Sequence, residues 1–217
     1  MRYIFLHGLG QSPSAWAKTL DLAGVEGATC PDLASWIRGR NPCYQTLYQA
    51  LEKYCATIDE PLALCGLSLG GILALNYGIE HPEKVHSLIL IGAQHAAPRR
   101  LLKAQNAVFG MLPKSAFAKT GFSKSDFISL CKSMTNLNFT SALEGIRCPT
   151  LVLCGNKDRA NMAASIEIQK SVPYASFVVI PDAGHEVNID NPAALGKEIA
   201  LFQKRNQQPD THNPSMQ

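Results

Sequence analysis

Three residues whose types can together activate a hydroxyl group follow three different apolar segments of the chain. Ser68 lies in the stretch GLSLG, Asp158 ends the stretch GNKD, and His185 ends the stretch AGH. Serine is a weak nucleophile until a histidine accepts its proton and a carboxylate fixes the tautomer of that histidine. The pattern therefore predicts a nucleophile at Ser68, a general base at His185 and an orienting acid at Asp158.

The surroundings of Ser68 match the pattern G-x-S-x-G between a strand and a helix. A predicted strand over 62–65 leads into the turn, and a predicted helix over 70–80 follows it. Flanking glycines permit a sharp, strained turn because they bring no Cβ into the junction. The first amides of the helix then favour a developing oxyanion beside the hydroxyl. The alternative is a glycine-rich turn that only exposes a serine.

The elements that must position these residues follow from the distribution of apolar residues. Short aliphatic and β-branched segments predict strands over 3–6, 28–30, 62–65, 88–91, 150–154 and 177–180, and helical spacing predicts helices over 44–58, 70–80, 162–171 and 192–204. Most of the strands are continuous apolar runs, which is typical of a parallel sheet covered on both faces. Alternating strands and helices predict an α/β sandwich, and parallel strands bring the three residues to one edge.

Two parts of the chain depart from this alternation. The segment 93–147 has no clear strand and carries many Phe, Leu and Met residues, so we expect an insertion of short helices forming a lid over one end of the sheet. The segment 206–217 is polar with two prolines, and we expect a disordered tail after a single domain over 1–205. Candidate substrate contacts are Leu67, His95, Phe109 and Met111.

Four motifs occur in order along the chain: HGLG at 7–10, GLSLGG at 66–71, GNKD at 155–158 and AGH at 183–185. Together they resemble the motifs of the α/β-hydrolase fold family, close in style to small esterases and to members from biotin and menaquinone pathways, and the resemblance covers 2–205. It implies a three-layer sandwich with a mostly parallel sheet of about six strands, because the two strands that usually open the family's fold are absent. It also implies an oxyanion hole formed by the backbone amides of Leu9 and Leu69.

Other residues compete for these roles. His95 follows a strand at the same edge, and we keep it as a possible substrate contact. Asp182 and Asp190 are near His185, but such neighbours usually cap turns. The pair Arg99 and Arg100 would suit an acidic substrate, although adjacent arginines at a helix start are more often solvated.

The motifs predict a carboxylesterase-like serine hydrolase that cleaves small carboxylic esters or thioesters through an acyl-enzyme on Ser68, without a cofactor or metal. An apolar lid favours short or aromatic acyl groups. A lyase or carbon-carbon bond hydrolase on the same triad stays open, with Arg99, Arg100 and Lys103 as the available basic side chains. A ligand-binding protein that retains the triad also stays open.

The composition of the chain limits the classes of partner that it is expected to bind. The chain has 217 residues, a net charge of +3 and scattered Lys and Arg, which disfavours nucleic acid, and it has no run long enough to span a membrane. Its seven cysteines show neither paired nor metal-ligand spacing, which favours a reducing cytoplasm. We expect a small-molecule substrate and a monomer or homodimer.

Overall fold

A parallel sheet forms the centre of the computed structural model, which describes residues 1–97, 99–117 and 120–207. Its five strands pair in the order β1-β2-β3-β4-β5, and each pairing is parallel. They are β1 (Arg2–Leu6), β2 (Leu62–Leu67), β3 (Val85–Ile91), β4 (Thr150–Gly155) and β5 (Ala175–Ile180). All residues of β2 and β4 are buried, as their continuous apolar runs predict.

Helices follow or connect the strands. The α-helices are α1 (Ala17–Ala23), α2 (Leu33–Ile37), α3 (Tyr44–Ala56), α4 (Leu69–Glu80), α5 (Arg99–Met111), α6 (Lys124–Ser133), α7 (Arg159–Ser171), α8 (Val187–Asp190) and α9 (Pro192–Gln207). The helices predicted over 44–58, 70–80, 162–171 and 192–204 correspond to α3, α4, α7 and α9. Since α9 ends at Gln207, it extends into the predicted tail, and 208–217 lie outside the described residues.

The sheet separates two apolar layers, which gives the predicted three-layer sandwich. One layer joins strand residues such as Leu64 to α3, α4 and α7, and the other joins residues such as Cys65 to α1 and α9. Successive side chains of a strand point to opposite faces, so each buried strand contributes to both layers. Among the described residues, no helix is long and apolar enough to cross a membrane.

The predicted strand over 28–30 is wrong. Thr29 forms a single parallel bridge with Ile4 outside the five named strands. Two backbone hydrogen bonds hold it, from Thr29 N to the Tyr3 carbonyl at 2.9 Å and from Phe5 N to the Thr29 carbonyl at 2.8 Å. Pro31 has no N–H with which to continue the ladder, and the described residues form a sheet of five strands, close to the expected number of about six.

The described part of the segment 93–147 contains helices and no named strand, as predicted. It comprises α5, α6 and the 3₁₀ turns Lys114–Phe117 and Thr140–Gly145, and an antiparallel bridge between Ala96 and Asn138 joins its two ends. Its interior is aromatic, because the Phe127 ring lies 4.7 Å from the Phe117 ring and 5.2 Å from the Phe109 ring, both edge to face. These contacts join α5 to α6.

Candidate active site

Ser68 lies on a strained turn between β2 and α4. Its φ of 54° is in a region that residues other than glycine rarely adopt. Two hydrogen bonds of 2.9 Å fix this conformation, from Ser68 N to the Ile91 carbonyl and from Ile72 N to the Ser68 carbonyl. The flanking glycines are sterically required, since a Cβ on Gly66 would lie 2.2 Å from the Gly70 carbonyl oxygen.

Asp158 and His185 are hydrogen-bonded across the carboxyl ends of β4 and β5. Nδ1 of His185 lies 2.7 Å from Oδ2 of Asp158, which is only 6% exposed. Burial raises the pKa of Asp158, but hydrogen bonds and charge from His185, together with hydrogen bonding from Asn161, outweigh burial and lower it below the ordinary value. Asp158 is therefore ionised at neutral pH and accepts the Nδ1 proton, which leaves Nε2 of His185 free to accept a proton.

A glycine after β3 brings His185 to the side of Ser68. Gly92 has a φ of +53°, and a Cβ on it would lie 3.2 Å from Nδ1 of His185. Its neighbour Ile91 accepts the hydrogen bond from the Ser68 amide. The imidazole thus packs against the segment that holds the serine backbone, and Ser68, Asp158 and His185 all line one cavity. The structure brings together the three residues that the sequence predicts.

The turn after β1 is held by its own side chains. Nε2 of His7 accepts a hydrogen bond from Leu33 N at 3.2 Å, so Nδ1 carries the proton and donates to the Gly8 carbonyl at 2.9 Å. Burial lowers the pKa of His7, which keeps the ring neutral in this role. The predicted oxyanion residues Leu9 and Leu69 both line the cavity beside Ser68.

A buried amide pair ties that turn to the segment after His185. Nε2 of Gln11 donates to Oδ1 of Asn188 at 3.0 Å, and Nδ2 of Asn188 donates to Oε1 of Gln11 at 3.2 Å. Oε1 of Gln11 also accepts from Gly8 N at 3.2 Å. Sequence reasoning missed this pair, because nothing local indicates a contact across 177 positions.

The cavity has a volume of about 430 Å³. Its walls are mainly apolar, and the lid contributes much of them. Its apolar lining residues are Leu9, Leu69, Ile72, Ala96, Ala97, Leu102, Phe109, Phe127, Cys131, Met134, Leu137 and Ala160. No Lys or Arg is among the described lining residues, and the side chains of Arg99, Arg100 and Lys103 lie outside the described ones.

Of the four predicted substrate contacts, only Phe109 lines this cavity. Leu67 is buried in the opposite layer with Phe5, because the last residue of β2 points to the other face of the sheet. His95 turns away to Glu167 of α7, where its Nε2 lies 3.2 Å from the carboxylate. Met111 is 78% exposed at the end of α5. These three residues do not line the described cavity, and their assignment as substrate contacts stays a prediction.

Two further polar residues of the site, Asn161 and Gln94, were missed. Asn161 contacts Asp158, and Gln94 contacts Asn161. The spacing of three positions between Asp158 and Asn161 at the start of α7 would have indicated the first contact, since such residues share a helix face.

Comparisons with known proteins agree with the fold. Residues 3–198 match the Alpha/beta hydrolase family, and the chain belongs to that family. Over 176 residues it is 26% identical to a putative 2-succinyl-6-hydroxy-2,4-cyclohexadiene-1-carboxylate synthase of Bacillus subtilis, covering 64% of each chain. Over 114 residues it is 29% identical to a pimeloyl-[acyl-carrier protein] methyl ester esterase of Aromatoleum aromaticum, covering 48% of this chain and 40% of that one. The chain thus spans less than two thirds of either relative.

A solved structure shares the whole architecture. A thermophilic esterase from Thermogutta terrifontis superposes with a TM-score of 0.75 at 19% identity, covering 96% of this chain and 91% of that one. At this identity the likeness establishes the α/β-hydrolase fold, and the chemistry has to be argued from the site.

Proposed function

We propose that this chain is a serine hydrolase that cleaves small carboxylic esters or thioesters through an acyl-enzyme on Ser68. The observation that carries the proposal is the 2.7 Å hydrogen bond between Asp158 and His185 in the cavity that Ser68 also lines. This bond sets the histidine tautomer that a serine nucleophile requires. The strained backbone of Ser68 supports the same role, because such strain is concentrated at functional sites.

The proposed reaction assigns a role to each residue of the site. Nε2 of His185 takes the hydroxyl proton while Oγ of Ser68 attacks the carbonyl carbon, and the amides of Leu9 and Leu69 stabilise the resulting oxyanion. His185 then gives the proton to the leaving alcohol or thiol as the carbon-oxygen or carbon-sulfur bond breaks. Water, deprotonated by His185, releases the acid and restores Ser68.

The cavity favours neutral, apolar acyl groups. Phe109, Phe127 and Met134 form part of its wall, and Glu186 adds a carboxylate to its lining. A carboxylate on the substrate would meet this negative charge and no described Lys or Arg. The methyl ester esterase activity in the name of the Aromatoleum relative supports ester cleavage. A lyase reaction on an anionic substrate would need cations beside the cavity, and the side chains of Arg99, Arg100 and Lys103, which could supply them, lie outside the described residues.

A panel of p-nitrophenyl esters tests the proposal. We expect turnover of acetate to hexanoate esters, weaker turnover of a hemisuccinate ester, and a loss of about four to six orders of magnitude in kcat for Ser68→Ala. A folded Ser68→Ala variant with unchanged ester turnover would rule the mechanism out. A protein that turns over no ester or thioester would instead favour the lyase or the ligand-binding alternative.

A further inference from the structure

Two side-chain amides lie in series behind the carboxylate of Asp158. Nδ2 of Asn161 lies 2.9 Å from both Oδ1 and Oδ2 of Asp158, and 3.1 Å from Nδ1 of His185. Oδ1 of Asn161 faces the other way and accepts a hydrogen bond of 2.7 Å from Nε2 of Gln94. Asn161 is 7% exposed, and both Gln94 and Asn161 line the cavity together with Asp158. Gln94 and Asn161 form an amide relay that ends at Asp158.

The direction of both amides is fixed by neighbouring groups that can only accept hydrogen bonds. The Ala160 carbonyl oxygen can only accept, and it takes a hydrogen bond from Nε2 of Gln94 at 3.3 Å. Gln94 consequently presents its NH₂ group to Asn161, whose carbonyl oxygen accepts. The NH₂ group of Asn161 then points at Asp158, which accepts only, because it is ionised.

We propose that Asn161 is a positioning residue that holds the carboxylate of Asp158 in the orientation His185 requires, and that Gln94 fixes the direction of the Asn161 amide. The inference rests on the proposed function, because it concerns the efficiency of the Ser68 reaction. His185 binds Oδ2 alone, whereas Asn161 binds both oxygens. Asn161 thereby restricts rotation of the carboxyl group about its last side-chain bond, a torsion that is broad in an unrestrained aspartate.

Three single variants test the relay, with kcat for p-nitrophenyl acetate measured on the alkaline plateau of the pH profile. Asn161→Ala removes a hydrogen bond to a charged group and is expected to lower kcat about tenfold with little change in KM. Gln94→Ala leaves the Asn161 amide facing Asp158, and we expect a loss of about threefold or less. Unchanged kcat in a folded Asn161→Ala protein, or an effect confined to KM, would overturn the proposal.

Gln94→Glu is the sharper variant, because it keeps the shape of the side chain and replaces a donor with an acceptor. Asn161 must then turn its NH₂ group toward position 94 and its carbonyl oxygen toward Asp158. We expect kcat about tenfold below that of Gln94→Ala, even though Gln94→Glu is the more conservative change. Equal kcat values for the two variants would contradict the relay.

The double variants separate the relay from a direct effect of the new charge. In an Asn161→Ala background no amide remains to turn, so adding Gln94→Glu and adding Gln94→Ala should give the same kcat. If Gln94→Glu still lowers kcat more than Gln94→Ala does in that background, the new charge acts directly on the reaction and the relay is wrong.

A second measurement needs no substrate, so it separates failure of the relay from failure of the proposed function. The Nδ1 proton of His185 should give a low-field ¹H NMR resonance that disappears in His185→Ala. We expect Asn161→Ala to shift or broaden this resonance while the melting temperature shows a folded protein. An unchanged resonance would overturn the relay, even in a protein that hydrolyses no ester.

Discussion

Asp158 accepts a hydrogen bond of 2.7 Å from His185, although the two residues are 27 positions apart. The bond forms because β4 and β5 are adjacent and parallel, and because Gly155 allows the two following loops to touch. A Cβ on Gly155 would lie 2.2 Å from the Gly184 carbonyl oxygen. The contact places the proton of the imidazole on Nδ1 and leaves Nε2 free to accept a proton.

Replacing this acid by its amide should remove most of the activity. In Asp158→Asn the amide can donate to Nδ1 and stabilise the wrong tautomer, so we expect kcat to fall about 10⁴-fold. Steady-state kinetics on p-nitrophenyl acetate measure the loss. Asp182→Asn is the matched control, since Asp182 is exposed and does not line the cavity, and it should keep kcat within about twofold. Equal effects of the two variants would argue against Asp158 as the acid.

Gly92 should be more important for activity than for stability. In Gly92→Ala an alanine has to adopt a backbone conformation with a positive φ. Its new Cβ would also lie 3.2 Å from the imidazole of His185. Displacing that ring should lower kcat about 10- to 100-fold, while the strained backbone costs about 1–2 kcal/mol of unfolding free energy. Urea unfolding and ester kinetics measure both effects. Gly110→Ala is the control, because its Cβ would meet nothing within 4 Å. Normal activity in a folded Gly92→Ala protein would contradict the packing described for His185.

The lid should determine acyl-chain preference through Phe109. Phe109→Ala removes a ring from the cavity wall, and we expect kcat/KM for phenylacetate and hexanoate esters to fall about tenfold, with a smaller effect on acetate. Met111→Ala, two positions along the same helix, changes a side chain that is 78% exposed and should leave the ester series unaltered. Equal losses across the series would show that Phe109 acts on lid stability instead.

Acidification should destabilise the fold through His7. Burial lowers the pKa of His7 below its ordinary value of 6.5, so the unfolded chain binds the proton first. The contribution of His7 to the free energy of unfolding is complete above about pH 6.5. It declines as the pH falls toward the pKa of His7 in the folded state, by at most about 1.4 kcal/mol per pH unit. Urea unfolding at pH 7.5 and 5.5 should show a smaller decline for His7→Gln. The control His86→Gln changes an exposed histidine and should match the wild-type decline.

The sequence identifies the parts of the site that local chemistry determines. The turn at Ser68 can be predicted because its glycines, strand and helix are neighbours in the chain. The acid and base follow because parallel strands end at one edge of the sheet. Neither prediction required knowledge of how the side chains pack in the folded protein.

Side-chain direction and long-range polar contacts could not be predicted in the same way. The run that contains Leu67 is apolar throughout, so no alternation shows which face each residue occupies. His95 follows β3 at the predicted edge of the sheet, but its side chain points to Glu167. The direction of that side chain depends on packing against α7. The contact between Gln94 and Asn161 spans 67 positions and depends on the folded junction of β3, β4 and α7.

The most direct test of the account is covalent labelling of the nucleophile with a fluorophosphonate. The wild-type protein should gain the mass of one phosphonyl group, peptide mapping should place it on Ser68, and His185→Ala should react at least about 10³-fold more slowly. A folded protein that resists the reagent, or that is labelled at another residue with Ser68 untouched, would contradict the assignment of Ser68 as an activated nucleophile.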